Sequence, residues 1–136
     1  MQIIESMIST RPNGLKRDSK RIAECVATCA ECELACLACA DACLVEHDLG
    51  MLRRCMRVTM DCAEVCGITA RLLARPFSSD SELEWALLEA CARACAVCGA
   101  ACYHQAEKHE HCKLCGDACR RCEEICRELL REPEGS

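Results

Sequence analysis

Residues 25–43 read CVATCAECELACLACADAC, with cysteine at positions 25, 29, 32, 36, 39 and 43. The successive gaps of 4, 3, 4, 3 and 4 residues are those of the inward stripe of an α-helix, with thiols where leucine ordinarily sits. Side chains at i and i+4 stand about 5–6 Å apart at Cβ. One such helix therefore presents adjacent pairs of sulfurs without a turn to gather them.

The pattern recurs. Cys25, Cys29, Cys32 and Cys36 reappear 66 residues later as Cys91, Cys95, Cys98 and Cys102, and Cys55, Cys62 and Cys66 reappear 60 residues later as Cys115, Cys122 and Cys126. Two helical hairpins joined by short loops predict an all-α protein, an up-down-up-down antiparallel four-helix bundle. The expected helices cover about 18–47, 51–75, 81–108 and 110–131 within one domain spanning 1–136. Pro76 stops the second, and Ser81 with Glu84 fits a capping box before the third, with Ser78, Ser79 and Asp80 as other caps. A short amphipathic helix over 2–9, with Ile3, Ile4, Met7 and Ile8 on its apolar side, precedes them and is ended by Pro12, Asn13 and Gly14. The repeat register sets Thr59 opposite Cys119, Leu52 opposite Cys112, and His109 in the place of Cys43. The second long helix is thus the thiol-poor one.

Composition narrows the chemistry. The 136 residues hold 18 cysteines but only three aromatics, Phe77, Trp85 and Tyr103. The net charge of -5 is interspersed, with no basic stripe or aromatic platform, so nucleic acid is not an expected partner. The first residues, MQIIESMIST, lack the apolar region of a signal peptide, and no apolar run of about 18 residues suggests a membrane span. The expected compartment is the cytoplasm, where thiols stay reduced and a cysteine-rich pattern reads as metal binding.

Five uses for such thiols compete. Cysteine can pack as a small hydrophobe, but eighteen on four inward stripes exceed what packing requires. Disulfides between i and i+4 close tiny loops and contribute little. A thiol redox enzyme needs one activated, exposed thiolate, and no cysteine stands apart from the stripes. Zinc, iron–sulfur or general soft-metal binding would use the C-x2-C pairs at 29/32, 36/39, 95/98, 112/115 and 119/122. Zinc sites, however, ordinarily hold such pairs on turns, and several tetrathiolate zinc sites would leave much negative charge in one dry core. Cu(I) is soft, monovalent and satisfied by two or three sulfurs, so about one ion per thiolate leaves the core near neutral. The eight CxxxC pairs at 25/29, 32/36, 39/43, 62/66, 91/95, 98/102, 115/119 and 122/126 suit that ion.

The stripes CAECELACLACADAC (29–43) and CKLCGDACRRCEEIC (112–126) resemble those of the bacterial copper storage proteins, specifically their cytosolic branch, over roughly 19–131. The resemblance implies a cysteine-lined bundle, commonly a homotetramer, that holds many Cu(I) ions for storage, buffering or detoxification and performs no catalysis. A copper chaperone or recipient protein would be its partner. The expected ligands are Cys25, Cys29, Cys32, Cys36, Cys39, Cys43, Cys55, Cys62, Cys66, Cys91, Cys95, Cys98, Cys102, Cys112, Cys115, Cys119, Cys122 and Cys126.

The bundle topology also predicts an entrance. One end collects His47, Met51, Met56, His104, His109 and His111; the other collects Ile22, Leu72, Leu73, Phe77, Trp85, Leu87, Leu88, Leu129 and Leu130. Imidazole and thioether bind Cu(I) more weakly than thiolate, which suits capture and hand-off. His109 is the first choice among these because it lies on the cysteine stripe. Asp61, beside Cys62 on the thiol-poor helix, is a candidate oxygen ligand. Gly67, Gly99 and Gly116 each follow a cysteine within a helix, at about 1 kcal/mol apiece relative to alanine. They predict close helix approach, within the bundle or between protomers.

Overall fold

A computed structural model describes residues 2–12, 18–76 and 81–132. They form five helices: α1 (Gln2–Ser9), α2 (Ser19–Leu44), α3 (Leu49–Leu73), α4 (Ser81–His104) and α5 (Glu110–Arg131). α2 packs on α3, α3 on α4, α4 on α5 and α5 on α2, while α1 lies on α2. Sulfur contacts give the register. Cys29 meets Cys122, Cys32 meets Cys119 and Cys39 meets Cys112, so α2 and α5 run antiparallel. Cys66 meets Cys91 and Cys55 meets Cys102, so α3 and α4 do too. This is the expected up-down-up-down bundle.

Local chemistry sets the helix ends. The Asp18 carboxylate accepts from the backbone N–H of Lys20 at 2.9 Å, satisfying a first-turn donor that α2 itself cannot. α2 stops at Leu44 rather than near His47, because the N–H groups of Val45 and Glu46 fold back on Ala42 and Cys43 in three-residue turns. α4 stops at His104 rather than near Lys108 for the same reason, with Gln105 and Ala106 returning to Cys102 and Tyr103. The expected stop at Asn13 and Gly14, the caps at Ser78, Ser79 and Asp80 and the place of Phe77 lie outside the described residues, and Ser81 is the first residue of α4.

All eighteen cysteines are buried, and they fill the axis that rings and leucines fill elsewhere. Away from the histidine end the filling turns to hydrocarbon: Ile8, Ile22, Val26, Leu73, Leu88 and Leu129 are buried together. Trp85 is not part of this layer, contrary to expectation, and is 49% exposed. α3 ends at Leu73, so the first turn of α4 stands past the last layer with helices on every side. Leu72, Leu87 and Leu130 are only half-buried.

Contrary to the expectation from sequence, segment Glu82–His104 is long and apolar enough by composition to cross a membrane. In the bundle its apolar character comes from Leu88, Cys91, Ala92, Cys95, Cys98 and Cys102, all turned into the core.

The mid-helix glycines serve contacts inside the bundle. Gly67 leaves room for the Glu33 carboxylate reaching across from α2. Gly116 lies under the Tyr103 ring, where a Cβ would come within 2.8–3.1 Å of ring carbons. Tyr103 in turn donates its O–H to Asp117 and carries the Arg120 guanidinium over its face, 4.8 Å from the centroid. This polar patch staples α4 to α5 on the outer surface.

Candidate metal centre

A stripe of thiols on each of four helices must point at one axis, and the sulfurs meet there. Contacts run along one helix (Cys25–Cys29, 3.9 Å; Cys62–Cys66, 3.7 Å), between neighbours (Cys66–Cys95, 3.6 Å; Cys29–Cys122, 3.6 Å) and across the diagonal (Cys29–Cys91, 4.0 Å; Cys36–Cys98, 3.9 Å). None of the eighteen is joined in a disulfide.

The contacts resolve into groups whose ligand atoms lie within 4.8 Å of one another. From the hydrocarbon end they include Cys29/Cys91/Cys122/Cys126, Cys32/Cys66/Cys95/Cys122, Cys32/Cys36/Cys62/Cys119, Cys36/Cys98/Cys115/Cys119 and, at the histidine end, Cys39/Cys43/His111/Cys112. The first four share members in turn, and the mouth group is joined to them through Cys115, Cys102 and Cys55, which neighbour Cys39, with Cys55 and Cys102 3.6 Å apart.

Thr59 and Leu52, fully buried, interrupt the stripe of α3 as the repeat register requires. Thr59 donates its hydroxyl to the Met56 carbonyl at 2.9 Å, so its polar group is satisfied without touching the thiols.

Burial pushes these thiols toward their neutral form, while hydrogen bonds from neighbouring thiols pull Cys32, Cys55, Cys62, Cys91 and Cys115 the other way. Desolvation, then the neighbouring Cys55 charge, pushes Cys43 up to about 11 and Cys112 up to about 12. Deeper in, hydrogen bonds to neighbouring thiols, Cys122 first for Cys95 and Cys102 first for Cys98, act with burial in the same upward direction. The apo core thus holds protons that a metal must displace.

The histidine mouth is built from two loops. His109 caps the start of α5 in an extended conformation (φ -137°, ψ 109°). It is nearly buried, and it donates Nδ1–H to Glu46 and Nε2–H to Asp48, both at 2.8 Å, in the loop after α2. Two donated protons make it an imidazolium. The bond to Asp48, opposed by burial and joined by the bond to Glu46, holds it above the usual imidazole range. Glu46 and Asp48 are held below the usual carboxylate range, the first chiefly by His111 and the second chiefly by His109.

His111 differs from its neighbour. Its Nε2–H donates to Glu46 Oε2 at 2.9 Å, and its Nδ1 stands 3.4 Å from Cys39 Sγ and 3.7 Å from Cys112 Sγ. It is thus the imidazole that joins the thiols, whereas His109, the first choice from sequence, ties the two mouth loops together.

The other candidates separate. Met51, His104 and Cys55 line a cavity of about 690 Å³ between the start of α3 and the end of α4, with Ala96, Ala100 and Gln105. His47 is exposed, and Met56 packs half-buried against the core. Asp61 does not join the thiols. One residue before Cys62, it is turned about 100° around the helix, and it faces solvent beside Arg57 at 3.7 Å. Glu46 and Asp48 went unnoticed in the sequence. The available signal was a Glu-His-Asp loop set by the topology opposite a His-Glu-His one.

Comparison with known proteins adds a family. The sequence model described as "Copper storage protein" matches residues 18–131. A Streptomyces lividans copper storage protein, Ccsp, loaded with 10 copper equivalents is 44% identical, with a TM-score of 0.88 over 93% of this chain and 97% of that one. The same organism's protein, described as cytosolic and loaded with five coppers, is 46% identical, with a TM-score of 0.81 over 84% and 95%. The Cu(I)-bound copper storage protein BsCsp3 is 28% identical, with a TM-score of 0.73 over 81% and 98%. No curated protein sequence matches the chain.

Proposed function

Because the chain belongs to the copper storage protein family, we propose that it takes Cu(I) in at the histidine mouth and stores it along the thiol axis. The observation that carries this is the sulfur lining that runs from Cys39 at the mouth, through its neighbours Cys55, Cys102 and Cys115, into the groups that share members as far as Cys126 at the hydrocarbon end. An ion held by two or three sulfurs can pass to the next group by trading one ligand at a time.

The first ligand set is Cys39, Cys43, Cys112 and the Nδ1 atom of His111. Imidazole binds without losing a proton here; each thiol that binds gives one up to solvent. Met51 and His104, flanking Cys55 in the side cavity, offer weaker soft donors at the same end. The far end is closed by hydrocarbon, which offers a metal no ligand. The role is storage rather than catalysis, in the cytosol, in a single bundle domain that assembles as a homotetramer. The ion is supplied or collected by a copper-handling protein partner.

The test is an anaerobic Cu(I) titration of fully reduced protein against a competing Cu(I) chelator. The expected result is tight uptake of roughly one ion per thiolate. Saturation at about four ions, or displacement by stoichiometric zinc, would instead indicate tetrathiolate zinc chemistry.

A further inference from the structure

The mouth contains a carboxylate that the copper chemistry does not call for. A carboxylate is a hard ligand, poorly matched to Cu(I), yet Glu46 lies between two imidazoles at the entrance to the thiol axis. A single oxygen, Oε2, accepts from His109 Nδ1 at 2.8 Å and from His111 Nε2 at 2.9 Å. The backbone N–H of Glu46 is bonded to the carbonyl of Cys43 at 3.2 Å. Glu46 is therefore tied by its backbone to one member of the Cys39/Cys43/His111/Cys112 group and by its side chain to another.

We propose that Glu46 is a positioning residue for copper capture. Its Oε2 takes the Nε2–H of His111, fixes that tautomer and turns the Nδ1 lone pair onto the Cys39, Cys43 and Cys112 thiols. The inference rests on the reading of His111 as the first nitrogen ligand.

An imidazole has two tautomers and a freely turning ring, and only one arrangement puts a lone pair on the thiols. A carboxylate behind the distal nitrogen selects that arrangement and raises the basicity of the proximal nitrogen. Glu46 is suited to this because its oxygen is already committed to N–H donors, so it orients the ligand without competing for the metal. His109 completes the device. Held also by Asp48 at 2.8 Å, it pins the same Glu46 oxygen through its own Nδ1–H.

The experiment compares wild type with E46A, E46Q, D48A and H111A, all reduced and metal-free at the start. The tautomer of His111 is read from long-range ¹⁵N–¹H correlations. The affinity for the first Cu(I) equivalent is read by chelator competition. Helicity and total Cu(I) uptake report on the fold. Wild type is expected to show His111 protonated at Nε2. E46A is expected to lose that single tautomer and bind the first ion about 10- to 100-fold more weakly, with helicity and total uptake nearly unchanged. E46Q, whose side-chain carbonyl can still accept the Nε2–H, is expected to recover most of both. D48A loosens His109 alone and is expected to leave the His111 tautomer in place.

If H111A weakens the first site while E46A leaves tautomer and affinity as in wild type, the positioning role is overturned and the entrance reading stands. If H111A has no effect on the first site, the entrance reading itself fails. An effect of D48A equal to that of E46A would assign the loss to loop clamping and likewise overturn the proposal.

Discussion

The Nδ1 atom of His111 stands 3.4 Å from Cys39 Sγ, while His109, two residues earlier, has both ring nitrogens on carboxylates. Two histidines of one helix start therefore have different tasks. H111A is expected to slow the uptake of the first Cu(I) ions from a chelator at least tenfold and to leave the final load within about one ion of wild type. H109A is expected to lower the thermal stability of the apo protein without removing the nitrogen ligand. Stopped-flow uptake and calorimetry on both variants check this, and equal uptake rates for H111A and wild type would contradict it.

Thr59 marks a missing thiol. It is fully buried at the level of Cys119, and its hydroxyl is satisfied by the Met56 carbonyl. T59C keeps nearly the same volume and gives up one hydrogen bond, at about 1 kcal/mol of apo stability. In exchange it completes the stripe of α3. Total Cu(I) uptake is expected to rise by about one ion, which mass spectrometry of the loaded protein would count.

The glycines make opposite predictions. A methyl at Gly99 would meet Cys119 Cβ at 3.4 Å, ordinary contact, so G99A is expected to stabilise the apo bundle by up to about 1 kcal/mol through helix propensity. A methyl at Gly116 would press into the Tyr103 ring. G116A is expected to lose about 1–3 kcal/mol to overpacking, partly offset by the same propensity gain. Chemical denaturation of the two reduced variants decides the sign of each.

Burial of protonated thiols fixes two pH dependences. Cys43 and Cys112 sit near 11 and 12 in the fold against an ordinary 9.0. Groups raised by folding contribute stability that is complete below the unfolded value and lost as pH climbs through the folded one. The melting temperature of reduced apo protein is therefore expected to fall from about pH 9 upward. Copper binding has the opposite slope, because protons compete for sulfur. Apparent Cu(I) affinity is expected to rise by roughly tenfold per pH unit for each proton released. An affinity independent of pH between about 6 and 8 would contradict proton exchange.

The hydrocarbon layer invites a core deletion. Leu88 and Leu129 are fully buried there. L88A is expected to cost the apo protein about 2–5 kcal/mol, and the loaded protein the same amount from a higher starting stability, since bound metal stabilises both folded forms alike. Paired melts of apo and loaded L88A and wild type check that the two costs agree.

The cysteine stripe made the bundle legible from sequence because its 4-3-4-3 spacing has one helical solution, and the same spacing repeated fixes four helices and their order. The eighteen thiols followed from it directly. The mouth was harder. His109 continues the spacing of Cys112 and Cys115 backward, but the helix begins at Glu110. A residue at the cap leaves the helical screw, so its side chain turned to Glu46 and Asp48 instead. His111 lies one step off the stripe, and only the two loop conformations bring its Nδ1 to Cys39. Trp85 failed for the reverse reason: it keeps the spacing of Leu88 but lies past the last complete layer. Periodicity speaks for helix interiors and is silent where helices end.

The sealed layer of Ile22, Leu73, Leu88 and Leu129 has a consequence for the order of traffic. A column open at one end only is a stack, not a pipe. With entry at the histidines, the newest ion occupies the place nearest the exit, and the oldest lies against the hydrocarbon. Withdrawal should then run last in, first out. Protein half-filled with ⁶³Cu and topped up with ⁶⁵Cu would surrender ⁶⁵Cu first to a limiting chelator, while release in the mixed proportions would mean that ions trade places along the sulfurs faster than they leave. The bundle would thus keep a reserve that turns over slowly behind a margin that turns over fast, two pools made from one kind of ligand by geometry alone.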